Sequence, residues 1–217
     1  MSSSAERSLV LLKPDAVLRR QAGVEILKAL KGLPDSNILV FKEVQVPEDL
    51  AKQHYAEHEG KSFFPSLIQM ITSPIGVVAM VFEGGEGLVQ AIRDLLGPTF
   101  VEKARAEKPE SLRALYGVSR GTNCTHASDM PETGARETGL WIENLGFELD
   151  ADAAAAAMDE YIGKYDGQYP NESAKVQELA GGIYTSLMEL KDVLQSETGD
   201  PEDNVKNLLG IILAGML

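Results

Sequence analysis

Arg7-Ser8-Leu9-Val10-Leu11-Leu12 runs straight into Lys13-Pro14-Asp15, and this stretch decides how the chain is read. Four consecutive apolar residues with no 3.6-residue period, closed by a lysine and a proline, predict a buried strand that ends in a loop. A matching run, Gly76 to Phe82, is apolar throughout and ends at Gly84-Gly85. Asn37 to Val46 alternates around Lys42 and Gln45 and predicts another strand, and a short one falls near Cys124 to His126.

Between these runs the spacing changes. Val24, Leu27 and Leu30 recur at helical intervals before Gly32 and Pro34; Pro47-Glu48-Asp49 opens a helix with acids in its first turn; Phe63 to Ile71 is a further amphipathic stretch. Leu88, Ile92 and Leu95 share one helical face, with Arg93 off it, before Gly97-Pro98, and a last helix is expected from about Met130 to Trp141. Thr99 to Thr125 shows no sustained period and is read as a long functional loop. The resulting βαββαβ order predicts an α+β fold of the ferredoxin-like class, an antiparallel sheet covered by helices.

Charge divides the chain of 217 residues. Residues 1–145 carry 16 basic and 19 acidic side chains, residues 146–217 carry 4 and 14, and the total is -13. An acidic surface repels phosphate backbones, so nucleic acid is not expected as a partner, whereas a small nucleotide needs only a locally basic pocket in the first part. One cysteine, Cys124, excludes an intrachain disulfide and a Cys-rich zinc site and predicts a reducing, cytoplasmic setting. Neither a leader nor a membrane span is expected from the four-residue run Leu9 to Leu12.

The tail reads differently. An Ala-rich run from Ala151 to Ala157 and a polar stretch from Gly167 to Ser173 predict a linker over 147–175 between a domain of residues 1–146 and a helical hairpin of residues 176–217. Val176, Leu179, Ile183, Leu187, Leu190 and Leu194 form one stripe; Asp200-Pro201-Glu202-Asp203 starts a second helix bearing Val205, Leu208, Ile212 and Met216. Such a hairpin is expected either to dock on a partner or a second copy or to pack back on the first domain.

Common nucleotide motifs are absent. Gly60-Lys61-Ser62 has tyrosine where a P-loop needs its first glycine, and Gly85-Glu86-Gly87 lacks the third glycine of a dinucleotide fingerprint. His54 and His58 at i, i+4 read as an exposed helix face rather than a metal pair. Blocks in a fixed order carry more. Lys13-Pro14-Asp15, His54-Tyr55, Phe63-Phe64, Gly76 to Met80, Arg93, Leu96-Gly97, Asn123 to Asp129, Glu137 and Gly139-Leu140-Trp141 resemble, in order and spacing, the nucleoside diphosphate kinases over about residues 5–145.

That resemblance implies a γ-phosphate moving from a nucleoside triphosphate to a diphosphate through a phosphorylated histidine, here His126. It implies that Glu137 holds the other ring nitrogen and that Ser128 lies near the transferred phosphate. Lys13, Tyr55, Arg93, Thr99 and Arg113 would surround the phosphates, Asn123 and Lys13 the ribose, and Phe63 with Leu67 the base. Mg2+ would arrive with the nucleotide, with no protein metal site. A histidine nucleophile suits such transfer because its pKa lies near neutrality.

Two departures flank the reacting histidine: Thr122 stands where the family pattern has arginine, and Ala127 where it has glycine. Ala127 adds a methyl at a position where close backbone approach or a positive φ is the concern. Phe64-Pro65-Ser66-Leu67, Leu96-Gly97-Pro98, a longer loop to Arg113 and Ser111 to Gly117 resemble the divergent ciliary and flagellar group of these kinases, which includes radial-spoke components. The hairpin is similar to the dimerisation hairpin of protein kinase A regulatory subunits. The resemblance implies axonemal partners, a homodimer, and a place in the axoneme. It leaves two readings: an active phosphotransferase, and a kinase-fold scaffold with weak or no turnover.

Overall fold

The computed structural model describes residues 5–198 and 201–214. Strands β1 (Glu6–Leu12), β2 (Ser36–Val44), β3 (Val77–Gly84) and β4 (Thr125–Ala127) form one sheet among the described residues, ordered β2-β3-β1-β4. Every pairing is antiparallel, with a register slip in β2 between Ile38 and Val40. The apolar runs read as buried strands are β1 and β3, the two central strands. They can be apolar throughout because both faces of the sheet are covered.

Alternation along these strands sorts the core into two layers. Val10, Leu12, Val78, Met80 and Phe82 face one way, where α1 (Pro14–Leu18), α2 (Arg20–Lys31) and α5 (Leu88–Leu96) supply Val17, Ile26, Leu27, Leu30 and Ile92. Leu9, Leu11, Val77, Ala79 and Val81 face the other way, toward Leu50 of α3 (Glu48–His54), Ile68 and Ile71 of α4 (Phe64–Ile71) and Trp141 of α8 (Pro131–Leu145). Each fully buried aliphatic side chain contributes about 1.5–3 kcal/mol, so this two-sided burial dominates stability.

The sequence reading missed short elements. Pro14 ends the strand but also sits in the first turn of α1, where its missing N–H is harmless. The stretch expected as a loop, Thr99 to Thr125, contains α6 (Val101–Glu107) and α7 (Leu112–Tyr116). Helices of seven and five residues offer too few turns to show a period.

The segment expected as a linker is the larger difference. Its Ala-rich run is α9 (Ala151–Tyr165), capped by Asp150, whose side chain accepts from Ala153 N at 3.0 Å. Alanine favours helix most of all residues, and Ala154, Met158 and Tyr161, at i, i+4 and i+7, are buried in the layer above β2. Tyr161 meets Phe41 edge-on at 5.7 Å. Lys28 of α2 holds Asp166 at 2.7 Å, Lys31 pairs with Asp159, and Asp150 N donates to Leu39 O at 3.0 Å.

One compact unit therefore extends to Ser173, and residues 174–217 form a second. The second unit holds α10 (Ser173–Thr198) and α11 (Glu202–Ala214), with Lys191 and Glu202 paired at 2.6 Å. Leu179 and Ile183 of the apolar stripe are exposed, and in α11 Val205 and Leu209 are buried while Leu208 is exposed. Gly199, Asp200, Met216 and Leu217 lie outside the described residues. No described helix is long and apolar enough to cross a membrane.

Candidate active site

Where β1 ends beside β4, a cleft of about 820 Å³ opens, a size suited to a small ligand. Lys13 leaves β1 here. Its backbone N–H donates to Cys124 O at 2.9 Å, and its Nζ donates to Gly121 O at 2.7 Å and Asn123 Oδ1 at 2.9 Å. Burial pulls the Lys13 ammonium below its usual range, with Asp15 opposing and Arg113 adding to the fall. Burial likewise pushes Asp15 up, against the nearby Lys13 charge.

Between Asn123 and β4 the chain turns sharply. Cys124 has φ 64°, a left-handed conformation rare for a side-chain-bearing residue. Two bonds hold it there: Lys13 N to Cys124 O, and Cys124 N to Asp15 Oδ2 at 3.0 Å. Burial pushes its thiol to about 12, so it stays protonated at neutral pH and is a poor nucleophile. The turn delivers His126 onto β4 opposite Leu11.

His126 Nε2 lies 3.0 Å from Glu137 Oε2 on α8, and Ser128 Oγ donates to the same oxygen at 2.7 Å. Burial opposes the Glu137 charge, yet the His126 ring, by charge and hydrogen bond, with smaller help from His54 and Ser128, holds the carboxyl at about 2. An ionised Glu137 accepts a proton-bearing Nε2, which leaves the lone pair on Nδ1. No described residue bonds that Nδ1, and His126 faces the cleft.

His54 overturns its sequence reading. It is buried rather than on an exposed face, its ring 4.7 Å from that of His126 at 76° and 5.7 Å from that of Trp141. Trp141 Nε1 donates to His54 Nδ1 at 3.3 Å, and burial, then the His126 charge, lowers its pKa to about 3. Because α3 ends at His54, His58 turns elsewhere, stacking on Tyr55 at 6.1 Å. The third group near His54 and His126 is Glu137, with ligand-type atoms all within 4.8 Å, a cluster the sequence reading did not foresee. The i, i+4 step from Glu137 to Trp141 on α8 was its available signal.

The remaining nominated residues converge. Tyr55, Phe63, Leu67, Arg93, Thr99, Arg113 and Asn123 all line the cleft with Lys13, His126 and Glu137. Arg113 is buried with Nη1 on Gly97 O at 2.6 Å and Nη2 on Thr125 O at 3.1 Å, and burial lowers it to about 10, still charged at neutral pH. Asn123 Nδ2 donates to Thr99 O at 2.9 Å. Ser128 differs: fully buried, it accepts from Leu9 N at 3.1 Å and reaches the cleft only through Glu137. Lys13, Lys61, Arg93, Arg113 and Arg120 outnumber Glu57, Asp129 and Glu137 there, so an acidic chain has a cationic cleft.

Both departures are accommodated locally in the fold. Ala127 lies in β4 opposite Val10 with no positive φ, and its methyl joins the core. Thr122 closes the loop before β4: its carbonyl accepts from Val118 N at 2.8 Å and its hydroxyl meets that of Ser119 at 2.8 Å.

Comparison with known proteins bears on the family and the fold. The family model described as nucleoside diphosphate kinase matches residues 6–147. A nucleoside diphosphate kinase of Chloroflexus aggregans is 45% identical over 139 residues, 64% of this chain and 87% of that protein. One of Mycolicibacterium gilvum is 46% identical over 143 residues, 64% of this chain and 98% of that protein. The solved Aquifex aeolicus nucleoside diphosphate kinase superposes with a TM-score of 0.59 at 32% identity, covering 68% of this chain and all of that one. The Babesia bovis family protein gives 0.58 at 32% identity, over 67% and 92%. On the matched family model, the relatives and the fold together, the chain belongs to the nucleoside diphosphate kinase family.

Proposed function

We propose that this chain transfers the γ-phosphoryl group of a nucleoside triphosphate to a nucleoside diphosphate through phosphohistidine at His126. The observation that carries the reading is the fixed imidazole: Glu137 holds Nε2 at 3.0 Å, and Nδ1 is left without a partner in a cationic cleft. In the first half-reaction Nδ1 attacks the γ-phosphorus, the bond to the bridging oxygen breaks, and the diphosphate leaves with the electron pair. A second diphosphate then attacks the phosphohistidine through its terminal oxygen, which restores the ring. Lys13, Tyr55, Arg93 and Arg113 stabilise the phosphoryl oxygens as charge shifts. Tyr55 does so as a donor, because burial pushes its phenol above its usual range.

The donor set fits Mg2+ brought by the nucleotide. Glu137 is committed to His126 and Ser128, and Glu57 and Asp129 are the other acids on the lining, so phosphate oxygens and water are the natural ligands. The ion supplies charge neutralisation on the phosphates. Incubation with γ-labelled ATP should give an acid-labile phosphoprotein, and His126→Ala should abolish it. Undiminished labelling of that variant would remove His126 from the reaction.

The ciliary reading completes the proposal: the chain works as an axonemal subunit among radial-spoke proteins, docked or dimerised through its C-terminal helices. Its support is the subgroup resemblance and the exposure of Leu179, Ile183, Tyr184 and Ile211 on a unit of its own. A tagged chain ending at Ser173 should fail to enter axonemes while the full chain enters. Equal incorporation of both would end the docking role. A scaffold with little turnover is favoured by the same exposed helices and is separated by the labelling experiment.

A further inference from the structure

His54, His126 and Glu137 bring two imidazoles and a carboxylate together, and no other trio of metal-ligating side chains this close occurs among the described residues. His126 Nε2 is 3.0 Å from Glu137 Oε2, and His54 Nδ1 is 3.9 Å from Glu137 Oε1. Neighbouring ligands of a tetrahedral zinc ion, with bonds of ~2.0–2.1 Å, stand about 3.4 Å apart, between those two separations. All three side chains line the cleft, so an ion has a way in. Phosphotransfer uses His126 and Glu137 and leaves His54 without a task.

The donors suit a particular ion. Two histidines and a glutamate, with a fourth position left to water, hold zinc, whereas Mg2+ prefers oxygen ligands throughout. His54 Nδ1 already presents a lone pair, which accepts from Trp141 Nε1 at a long 3.3 Å, and the ring keeps its proton on Nε2, buried without a partner. The cation beside Glu137, Arg136 at 3.6 Å, is exposed and can swing into water.

Zinc at this place acts on the reacting ring. It takes His126 Nε2 and displaces the proton shared with Glu137. A neutral imidazole carries one N–H, so that proton moves to Nδ1. No proton is lost, but the nitrogen that attacks phosphorus no longer has a lone pair.

We propose, resting on the phosphotransfer reading, that His54, His126 and Glu137 form an inhibitory zinc site, with His54 as the ligand that the transfer itself does not need. Zinc holds His126 in its unreactive tautomer, and Trp141 gives up its bond to His54 when the ion takes Nδ1.

The test is titration calorimetry of the full chain with Zn2+ in the absence of nucleotide, followed by single-turnover labelling from γ-labelled ATP in excess Mg2+. One ion should bind tightly, change the fluorescence of Trp141, the single tryptophan, and suppress labelling in step with occupancy. His54→Gln should weaken zinc about 10- to 100-fold and label in its presence. Trp141→Phe, which relieves Nδ1 of its hydrogen bond, should bind zinc at least as tightly as the unaltered chain. His58→Gln, a change at a cleft histidine outside the trio, should leave binding and suppression as they were. Zinc affinity unchanged in His54→Gln, or lost in His58→Gln, would put the ion elsewhere and overturn the site. Tight zinc at the trio with undiminished labelling overturns the block, with the phosphotransfer reading intact. Failure of the unaltered chain to label without zinc overturns that reading and the block together, and calorimetry then decides the site alone.

Discussion

His126 Nε2 and Glu137 Oε2 are 3.0 Å apart, and the same carboxylate oxygen accepts from Ser128 at 2.7 Å. The three groups form a chain from the protein interior to the imidazole at the cleft: Leu9 N to Ser128, Ser128 to Glu137, Glu137 to His126. A strand backbone thus sets the orientation of an imidazole two side chains away. Glu137→Gln removes the charge that selects the tautomer, and His126 phosphorylation should slow by about 10- to 1000-fold in single-turnover quench experiments. Ser128→Ala leaves a buried carboxylate short of one donor, and urea unfolding should show a loss of about 1–3 kcal/mol with a smaller loss of rate. A wild-type rate in Glu137→Gln would show that the carboxylate has no part in aiming the ring.

Burial of His54 makes stability depend on pH in a defined direction. Its pKa is about 3 folded against the usual 6.5, so below 6.5 the unfolded chain binds a proton that the native chain refuses. Stability is therefore full above 6.5 and falls as pH drops toward 3, by about 1.4 kcal/mol per unit from this group. The groups facing it are His126, Glu137, Arg136 and His58. Glu137, at about 2 against 4.5, loses its contribution only below 4.5. Urea midpoints between pH 7 and 5 thus isolate the histidine, and His54→Gln should flatten them. An equally steep decline in that variant would assign the slope to other groups.

The sheet was legible because β1 and β3 are apolar on both faces, and the register of a strand needs only a period of two. The cleft was legible because its residues recur in blocks of fixed order. What escaped had a physical reason in each case. A helix of Ala, Asp and Met shows little amphipathic contrast, so α9 passed for a linker even though Ala154, Met158 and Tyr161 mark its inner face. His54 passed for a surface residue because α3 ends there, which breaks the i, i+4 relation to His58.

Gly97 is the position where backbone conformation governs a buried cation of the cleft, Arg113. It has φ 77°, and an added Cβ would sit 2.2 Å from Ser111 Oγ. Its carbonyl also accepts from Arg113 Nη1 at 2.6 Å. Gly97→Ala should destabilise the chain by about 1–3 kcal/mol in urea unfolding and weaken tripolyphosphate binding as Arg113 shifts. Adding Ser111→Gly removes the clash but leaves the left-handed backbone, so it should restore only part of both losses. Complete recovery in the double variant would show that φ is of no consequence there.

The family match ends at residue 147, before α9 begins, yet α9 lies in the same core layer as Ile38, Phe41 and Leu27 above the sheet. An element outside the family region has become part of the family core in this chain. Its ion pairs, Lys28–Asp166 and Lys31–Asp159, are exposed to solvent and contribute little. Burial of Met158 and Tyr161 with the side chains beneath them is worth on the order of 5 kcal/mol, a large part of the 5–15 kcal/mol that holds an ordinary domain. A chain ending at residue 147 should therefore melt well below the full chain, or self-associate through the uncovered face. One ending at Ser173 should melt within a few degrees of it. Differential scanning calorimetry with light scattering separates these outcomes, and equal melting of the 147 and 173 chains would return α9 to the status of a linker.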